Sequence, residues 1–428
     1  MLKKIRKVFL HDLVRITSWS SVSYFIKTVS QFIISKVLAV TIGPAGVAIL
    51  GQLTNISGII QSLGSAGISI GVTKYIAENY DNEVEQQKVI DNSLKLVFYT
   101  SAGVGLLTLL FFKAINRYFL ANSNYSEVVL IAGLTVLLFA INTTIVAVIN
   151  GLQQYKQYIY ITILNSLFNL FLVLVFVKIW GFKGALYALV TTPALLFFIS
   201  YSFVYKKSWF SFKFLFTKFD YSILKKLSAF SLMAINNAVV GALGQIILRS
   251  LIIKRLSITE AGLWDSLTKL SNAYMLLITT SIQVYFLPAL AAISDSKLLW
   301  KELIRANKIL LPLIGTILIL IFIFRTEIIL LLFTKQFLPL QEYFKFQLVG
   351  DLIKISSWIF AYTMYARAMT KRLILTDNFF TALNISLAYL FVIKMHLAGI
   401  FVAYLCSSLI YFVFIVVFIR KQLNLKFI

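Results

Sequence analysis

The 428-residue sequence has few of the residues on which metal and redox chemistry depend. It contains one cysteine, Cys406, and two histidines, His11 and His396. One cysteine allows no internal disulfide, and two histidines cannot make a multi-histidine metal site. We therefore expect no metal or redox chemistry and no cofactor.

Charge is scarce as well. Only 13% of the residues are charged, 60% are hydrophobic, and the mean hydropathy is +0.88. This composition excludes a soluble multi-domain enzyme. A membrane-spanning helix needs about 20 mostly apolar residues, so the chain has room for roughly a dozen spans and little else.

The apolar runs predict an all-α integral membrane protein with about twelve transmembrane helices. The first six spans are expected near 14–42, 44–76, 92–113, 127–151, 157–179 and 182–205, and the second six near 223–253, 259–292, 307–325, 343–365, 373–394 and 397–419. The most polar connector, from Lys206 to Lys226, separates the two sets. We expect two six-helix lobes around a central cavity, an N-lobe over 1–212 and a C-lobe over 213–428.

Basic residues predict the orientation of the chain. The net charge is +24, but Lys and Arg lie in short loops rather than in one soluble patch, which argues against nucleic acid as a partner. Roughly 23 of them flank the even-numbered connections and about eight flank the others, which predicts that both termini are cytoplasmic. The basic start is followed by a long apolar stretch without a clear cleavage site, which indicates a retained first span.

Charged side chains inside the predicted spans are the candidate functional residues, because each costs about 2.5 to 3.5 kcal/mol at the bilayer centre. Once the acids within the spans are set against nearby lysines, unpaired positive charge is expected at Lys27, in the first span, and Arg249, in the seventh, with Lys74 and Lys36 as further candidates. Pairing with a neighbouring helix is the alternative for Lys27, and reaching to the interface is the alternative for Lys74 and Lys36. The candidates for binding an anionic group are Lys27, Arg249, Lys74, Lys36, Lys269 and Lys354.

Two acids can pair with basic residues on their own helices. Asp265 and Lys269 are four residues apart, and Asp351 and Lys354 are three apart. Each couple is either a structural ion pair or a pair that opens when substrate or a coupling ion arrives. We predict Asp265 and Asp351 as coupling or ion-pair residues.

The remaining positive charge predicts an anionic cargo, and a diphosphate suits Lys and Arg donors. Polar side chains near these cations are candidates for sugar contacts: Tyr24, Gln31, Asn55, Asn237 and Asn272. The aromatic side chains of Tyr24, Trp264, Tyr274 and Tyr285 can also stack on sugar rings, although packing against lipid or core is the alternative.

Several ordered blocks carry a family resemblance. They are Gly43-Pro44-Ala45-Gly46, Gly71-Val72-Thr73-Lys74-Tyr75-Ile76-Ala77, Ser231-Leu232-Met233-Ala234, Gly262-Leu263-Trp264, Val284-Tyr285-Phe286-Leu287-Pro288-Ala289-Leu290 and Gln347-Leu348-Val349-Gly350-Asp351-Leu352-Ile353-Lys354. With these blocks the chain resembles the Wzx-type O-antigen and lipid III flippases of the multidrug/oligosaccharidyl-lipid/polysaccharide (MOP) exporter superfamily, which includes the MATE transporters.

The resemblance implies alternating access and an undecaprenyl-diphosphate oligosaccharide, such as an O-antigen or enterobacterial-common-antigen-like repeat unit, moved to the periplasmic leaflet. It also implies a bacterial inner membrane, membrane lipids and contact with other glycan-assembly membrane proteins. Release of a tightly held dianion is expected to need either a coupling ion, H+ or Na+, or the membrane potential. Lys27, Lys36, Lys74, Asp351 and Lys354 fall where similar charges occur in that group. Asp265 departs from it, since the lipid III flippases carry an uncharged amide there.

Two other functions compete with a flippase. A multidrug exporter of the same superfamily favours cationic drugs and is expected to place acids within the first two spans, where this sequence has none at mid-membrane. A membrane polysaccharide polymerase or ligase is expected to need a large outward loop with catalytic groups. The longest outward connection here runs only from about Lys113 to Glu127, so we expect no enzyme.

Overall fold

A computed structural model describes residues 2–119, 125–293, 295–367 and 369–423. Within these ranges, the side chains of 2–21, 213, 229, 277, 280–289, 291–292 and 370 are not described, so the predicted sugar contact Tyr285 lies outside the described side chains. All regular structure in the described residues is helical, which confirms the predicted all-α class.

Nine long helices make up most of the described residues. In chain order, with two shorter helices, they are α1 (Leu2–Gly64), α2 (Ser69–Glu78), α3 (Glu83–Phe119), α4 (Ser126–Gly151), α5 (Tyr155–Val204), α6 (Tyr221–Arg255), α7 (Ile258–Ala292), α8 (Ser296–Ile323), α9 (Arg325–Leu332), α10 (Phe344–Ala366) and α11 (Thr370–Gln422). Two 3-10 helices lie at Phe212–Phe216 and Lys335–Glu342.

Three of the nine long helices are each two helices that follow one another without a loop. Non-helical backbone at Gly43 breaks α1, at Gly181 breaks α5 and at His396 breaks α11. Nine long helices with three such breaks give twelve helical segments in the described residues, in agreement with the approximate count predicted. Among the described helices, seven are long and apolar enough by composition to cross a membrane.

The three breaks share two backbone features that let the helical segments on either side pack closely. All three breaking residues have positive φ, and a glycine follows each break three residues later, at Gly46, Gly184 and Gly399. A Cβ at Gly184 would collide with the backbone of Phe176, and one at Gly399 would collide with the backbone of Phe391. The second segment of α5 and of α11 therefore packs directly on the end of the first, which only a residue without a side chain permits.

Packing divides the chain into two units. Unit 1 is Met1–Thr41 with Gln52–Ala242, and unit 2 is Ile42–Gly51 with Leu243–Ile428. One division between the units falls inside α6, between Ala242 and Leu243. The predicted lobes of six helices each stay a prediction.

The core of unit 1 includes the connector after α5. Trp209, Phe210 and Phe214 are buried there with the apolar faces of α2, α3 and α4. Three side chains of α3 also hold the connector: Gln87 donates to the carbonyl of Trp209, Lys95 donates to that of Thr217, and Asn92 accepts from the backbone N–H of Asp220. The most polar stretch of the sequence is therefore packed and hydrogen-bonded against the helices of unit 1.

Helices α3 and α4 approach closely because glycines face each other. A Cβ at Gly105 would lie 2.8 Å from the carbonyl oxygen of Gly133, and a Cβ at Gly133 would lie 3.1 Å from the side chain of Thr108. Small residues at a helix contact allow backbones to pack closely in a membrane. Gly103, two residues from Gly105, has no neighbour within 4 Å of such a Cβ.

We predict that Gly105→Ala lowers stability and that Gly103→Ala does not. At Gly105 the added methyl forces the two backbones apart, at a cost of about 1 to 3 kcal/mol. At Gly103 the methyl has free space and favours the helix by about 0.5 to 1 kcal/mol. Thermal unfolding of both purified variants in detergent measures the difference, and equal melting temperatures would contradict this packing.

Candidate functional site

In unit 1, the first segment of α1 presents a row of polar side chains. Tyr24, Lys27 and Gln31 are exposed and follow one another at helical steps of three and four, so they share a face. Ser23 and Ser30, beside this row, are buried, with 1% and 3% of their surface exposed. The row therefore lies at the edge of the buried face of this helix.

Lys27 is the cation of this row. Among the described residues of unit 1, no acid lies within 4.0 Å of its ammonium group. Lys36, nine residues further on, is half-buried and has a partner, and Asn55 is likewise half-buried with a partner. Asn237, on the part of α6 that belongs to unit 1, is exposed. Of the predicted cations of unit 1, Lys27 is thus the one whose side chain is exposed and can bind an anionic ligand without leaving an acid.

Lys74, also in unit 1, has local partners. Its Nζ lies 3.5 Å from Glu78 Oε1 on the same helix and 5.3 Å from the ring centre of Phe230. About half of its side chain is exposed. An exposed pair of this kind is worth about 0 to 1 kcal/mol, so Lys74 can exchange Glu78 for another anion at small cost.

In unit 2, one carboxylate lies between two cations. Arg249 Nη2 on α6 lies 2.5 Å from Asp265 Oδ1 on α7, and Lys269 Nζ lies 2.8 Å from Asp265 Oδ2. Arg249 and Asp265 are 2% and 3% exposed, whereas 46% of the Lys269 side chain is exposed. The cluster carries one net positive charge, and Lys269 is its accessible member.

This cluster corrects the interpretation of Arg249 as a cation without an acidic partner. The guanidinium is paired with Asp265 and also lies 5.6 Å from the ring of Trp264. A Cβ at Gly51 would lie 2.9 Å from Arg249 Nη2 and closer still to Asp265, so the glycine leaves the space that the pair fills. Trp264 itself is buried and serves this packing rather than an open surface.

A second row of polar residues lies on α7. Asp265, Lys269 and Asn272 follow at steps of four and three, which places them on one face. Asp265 is buried at the start of the row, while Lys269 and Asn272 are exposed. Unit 2 therefore presents a lysine and an amide side by side, the same pair of groups that Lys27 and Gln31 present in unit 1.

Asp351 forms a separate polar cluster in unit 2. It is fully buried on α10, and its carboxylate accepts hydrogen bonds from Ser271 Oγ at 2.6 Å, Tyr404 Oη at 2.7 Å, Gln347 Nε2 at 3.1 Å and the Tyr274 hydroxyl. No ion pair within 4.0 Å joins it to Lys354 in the described part of the chain. Neutral donors from α7, α10 and α11 surround this carboxylate.

Lys354 faces aromatic rings. Its Nζ lies 5.1 Å from the ring centre of Tyr404 and 5.6 Å from that of Trp358. Both distances are typical of cation–π contacts. Tyr404 therefore contacts both Asp351 and Lys354. The sequence predicted a direct ion pair between these two residues, whereas in the structure Tyr404 lies between them.

The sequence missed several of these partners. Ser271, Gln347 and Tyr404 complete the Asp351 cluster, and only Tyr274 was singled out, for stacking on sugars. Gln347 had a local signal, since it precedes Asp351 by one helical turn. Tyr404 lies on α11, 53 residues from Asp351, and no local pattern indicates that contact.

We predict that Asp265→Asn destabilises the protein because it leaves the buried Arg249 without an acid. Loss of one partner of a buried pair costs about 3 to 5 kcal/mol. The matched control is Glu302→Gln, which removes the exposed pair of Glu302 with Arg305 at 3.9 Å and costs about 0 to 1 kcal/mol.

Thermal unfolding in detergent measures both variants, and the double variant Asp265→Asn with Arg249→Met is expected to recover much of the lost stability. If Asp265→Asn unfolds at the same temperature as Glu302→Gln, the buried pair of Arg249 and Asp265 does not stabilise the fold.

Comparison with known proteins gives two kinds of similarity. A family model described as "Polysaccharide biosynthesis protein" matches residues 13–294. Two curated relatives, each named lipid III flippase, come from Escherichia coli strain K12 and from Shigella flexneri. Each is 28% identical over 403 residues, which cover 94% of this chain and 96% of the relative.

Solved structures share the fold. An inward-facing multidrug-resistance MATE family transporter of the MOP superfamily matches with a TM-score of 0.79, 15% identity and coverage of 93% of this chain and 94% of that one. A MOP superfamily transporter from Pyrococcus furiosus, described as having a binding pocket of reverse polarity, matches with a TM-score of 0.68, 15% identity and coverage of 96% and 95%. The chain has the MATE-like transporter fold of this superfamily.

Proposed function

Because the chain belongs to the polysaccharide biosynthesis protein family, we propose that it is a flippase for a lipid-linked oligosaccharide. The substrate is an undecaprenyl-diphosphate-linked repeat unit of the O-antigen or enterobacterial-common-antigen type. It moves from the cytoplasmic to the periplasmic leaflet of a bacterial inner membrane by alternating access, with both termini of the protein in the cytoplasm. The full-length similarity to lipid III flippases supports a lipid-linked glycan as the cargo.

The observation that carries the proposal is an exposed lysine beside an amide on one helix of each unit. In unit 1 the exposed lysine is Lys27, one helical turn from Gln31, and in unit 2 it is Lys269, close to Asn272. In the described part of unit 1, Lys27 has no buried acid to neutralise, and the acid beside Lys269, Asp265, is already neutralised by Arg249. Lysine offers a point charge to phosphate oxygens, and the amide offers donors and acceptors to sugar hydroxyls. Each row can therefore bind one charged and one neutral part of a glycan diphosphate.

The other predicted residues have supporting roles in this proposal. Arg249 acts through Asp265, because together they hold Lys269 in place, and Lys74 and Lys36 add weaker positive charge. Tyr24, Asn55 and Asn237 contribute further sugar contacts. Asp351 is the coupling residue, since a carboxylate held by neutral donors can accept H+ or a Na+ ion without separating from a cation first.

We predict that Lys27→Ala and Lys269→Ala each lower the rate of flipping by about tenfold or more. Loss of a charge-assisted hydrogen bond costs about 1.5 to 3 kcal/mol, and about 1.4 kcal/mol is a factor of ten. The measurement is flipping of a fluorescent undecaprenyl-diphosphate oligosaccharide in proteoliposomes. Lys301→Ala, an exposed lysine at the start of α8, is the control and is expected to match the wild type.

Lys27→Arg, which keeps the charge, is expected to retain more activity than Lys27→Ala. Flipping at wild-type rates by both alanine variants, at equal reconstitution, would show that these lysines do not bind the diphosphate.

A separate prediction concerns coupling. We expect Asp351→Asn to lose the stimulation of flipping by an imposed proton or sodium gradient, while flipping down a substrate gradient continues. The asparagine cannot take up a proton and carries no charge for a cation. Paired assays with and without each gradient test this, and a variant that still responds to both gradients contradicts the role of Asp351.

A multidrug exporter is the second candidate, because solved multidrug transporters share the fold. Its substrates are cationic, so it predicts that removal of Lys27 leaves transport unchanged or improves it. Uptake of a cationic dye in the same proteoliposomes separates the two functions. Export of the dye without flipping of the glycan lipid would favour the exporter.

A further inference from the structure

The two segments of α5 form a hairpin within unit 1. The reversal at Gly181 brings Gly184 against the backbone of Phe176, and the two segments, 155–180 and 182–204, run side by side in opposite directions. Tyr155 and Val204 therefore lie at the same end of the hairpin. The basic residues place this end on the side predicted to be cytoplasmic.

An open apolar groove runs between these two segments. Its volume is about 600 Å³, within the usual range of about 300 to 1,000 Å³ for a small-molecule site. The lining is almost wholly apolar and rich in phenylalanine, and it includes Leu164, Leu167, Phe168, Phe171, Phe198 and Phe203. We call it the α5 groove.

The α5 groove begins at the basic end of the hairpin and extends deep into the membrane helices. Phe203 is one residue from the end of the second segment, whereas Phe171 is sixteen residues from the start of the first, about 24 Å at a helical rise of about 1.5 Å per residue. The hydrocarbon core of a bilayer is about 30 Å thick. The groove thus has the direction and depth that a lipid chain would need to pass from the interface into the bilayer.

Three lysines adjoin the basic end in sequence. Lys156 follows the first residue of the first segment, and Lys206 and Lys207 follow the end of the second. No acid lies within 4.0 Å of their ammonium groups among the described residues of unit 1. This end therefore suits a headgroup with more than one negative charge.

The shape and the charge together favour one class of lipid. Phosphatidylglycerol has two acyl chains and one phosphate, and cardiolipin has two phosphates but four acyl chains, whereas a polyprenyl diphosphate has one chain and a headgroup with two phosphates. One groove that ends at three lysines fits the polyprenyl diphosphate. The phenylalanine rings also suit a chain with many methyl branches, because flat faces pack against branched apolar groups over a large area.

We propose that the α5 groove binds the polyprenyl tail of the lipid-linked substrate, with the diphosphate held by Lys156, Lys206 and Lys207. This inference rests on the proposed function and adds a docking site on unit 1 whose residues are not those of the Lys27 and Lys269 rows. Tyr24 of the Lys27 row borders this site, because it is hydrogen-bonded to Tyr158, two residues from Lys156. Binding there concentrates the substrate at the transporter and presents its headgroup on the predicted cytoplasmic side.

The first experiment is photocrosslinking in the full-length protein. A benzophenone amino acid replaces Phe198 in the α5 groove, and a control protein carries it at Leu107 on α3; the two side chains are 57% and 56% exposed. Both proteins are reconstituted in phosphatidylglycerol vesicles that contain a small fraction of undecaprenyl diphosphate, and the adducts are identified by mass.

We expect undecaprenyl diphosphate on the Phe198 probe in clear excess over its fraction in the vesicle, with only phospholipid adducts at Leu107. Combined substitution of Lys156, Lys206 and Lys207 by Gln should remove that excess. Adducts at Phe198 in proportion to the vesicle composition would overturn the proposal and show an ordinary lipid surface.

The second experiment fills the α5 groove. Leu167→Trp is expected to raise the concentration of a long-chain substrate needed for half-maximal flipping by about tenfold or more, since it displaces several buried methylene groups. A substrate with a two-isoprene tail, too short to reach Leu167, should be unaffected, and Leu107→Trp should match the wild type for both.

The two hypotheses fail in different ways. If the wild-type protein flips no glycan lipid, the proposed function fails whatever the crosslinks show. If it flips the lipid and Leu167→Trp is indistinguishable from Leu107→Trp with the long chain, the function stands and the α5 groove is not the tail site.

Discussion

A charge inside a membrane helix persists only if another group compensates it, and in unit 2 this constraint is met by the pair of Arg249 and Asp265. The pair is almost fully buried, and Gly51 provides the space for it. Because Asp265 satisfies Arg249, its second oxygen can hold Lys269, which stays exposed. The buried pair therefore positions the one cation of the cluster that an anionic ligand can reach.

Much of the fold was predictable because local signals determine it. Apolar runs located the helices, and the predicted span boundaries near 43, 180–181 and 395–396 coincide with the three breaks at Gly43, Gly181 and His396. The sequence was less informative where distant residues decide the structure. From its lysines, the connector after α5 was predicted to be a polar segment between two sets of helices. In the structure Trp209, Phe210 and Phe214 of this connector are buried in the core of unit 1. Lysines do not prevent this, because a lysine can keep its charged end in water while its methylene groups lie along an apolar surface.

The candidate site shows the same division between local and distant contacts. The pairing of Asp265 with Lys269 is a four-residue step on one helix, and the sequence indicated it. The pairing with Arg249 crosses from α6 to α7, and the donors to Asp351 come from three helices. Such contacts depend on which faces meet, and helical periodicity alone does not determine that. Hydroxyl groups are also easily overlooked, because Ser and Tyr occur throughout apolar helices for packing reasons.

The pair of Arg249 and Asp265 also bears on how the protein is made. The two residues are sixteen apart, on consecutive helices joined by a short turn at Leu256 and Ser257. During synthesis α6 emerges first, and alone it would bring an uncompensated arginine into lipid. Only when α7 follows does Asp265 become available. If the two helices enter the bilayer together as one hairpin, the arginine is already paired when it reaches the lipid.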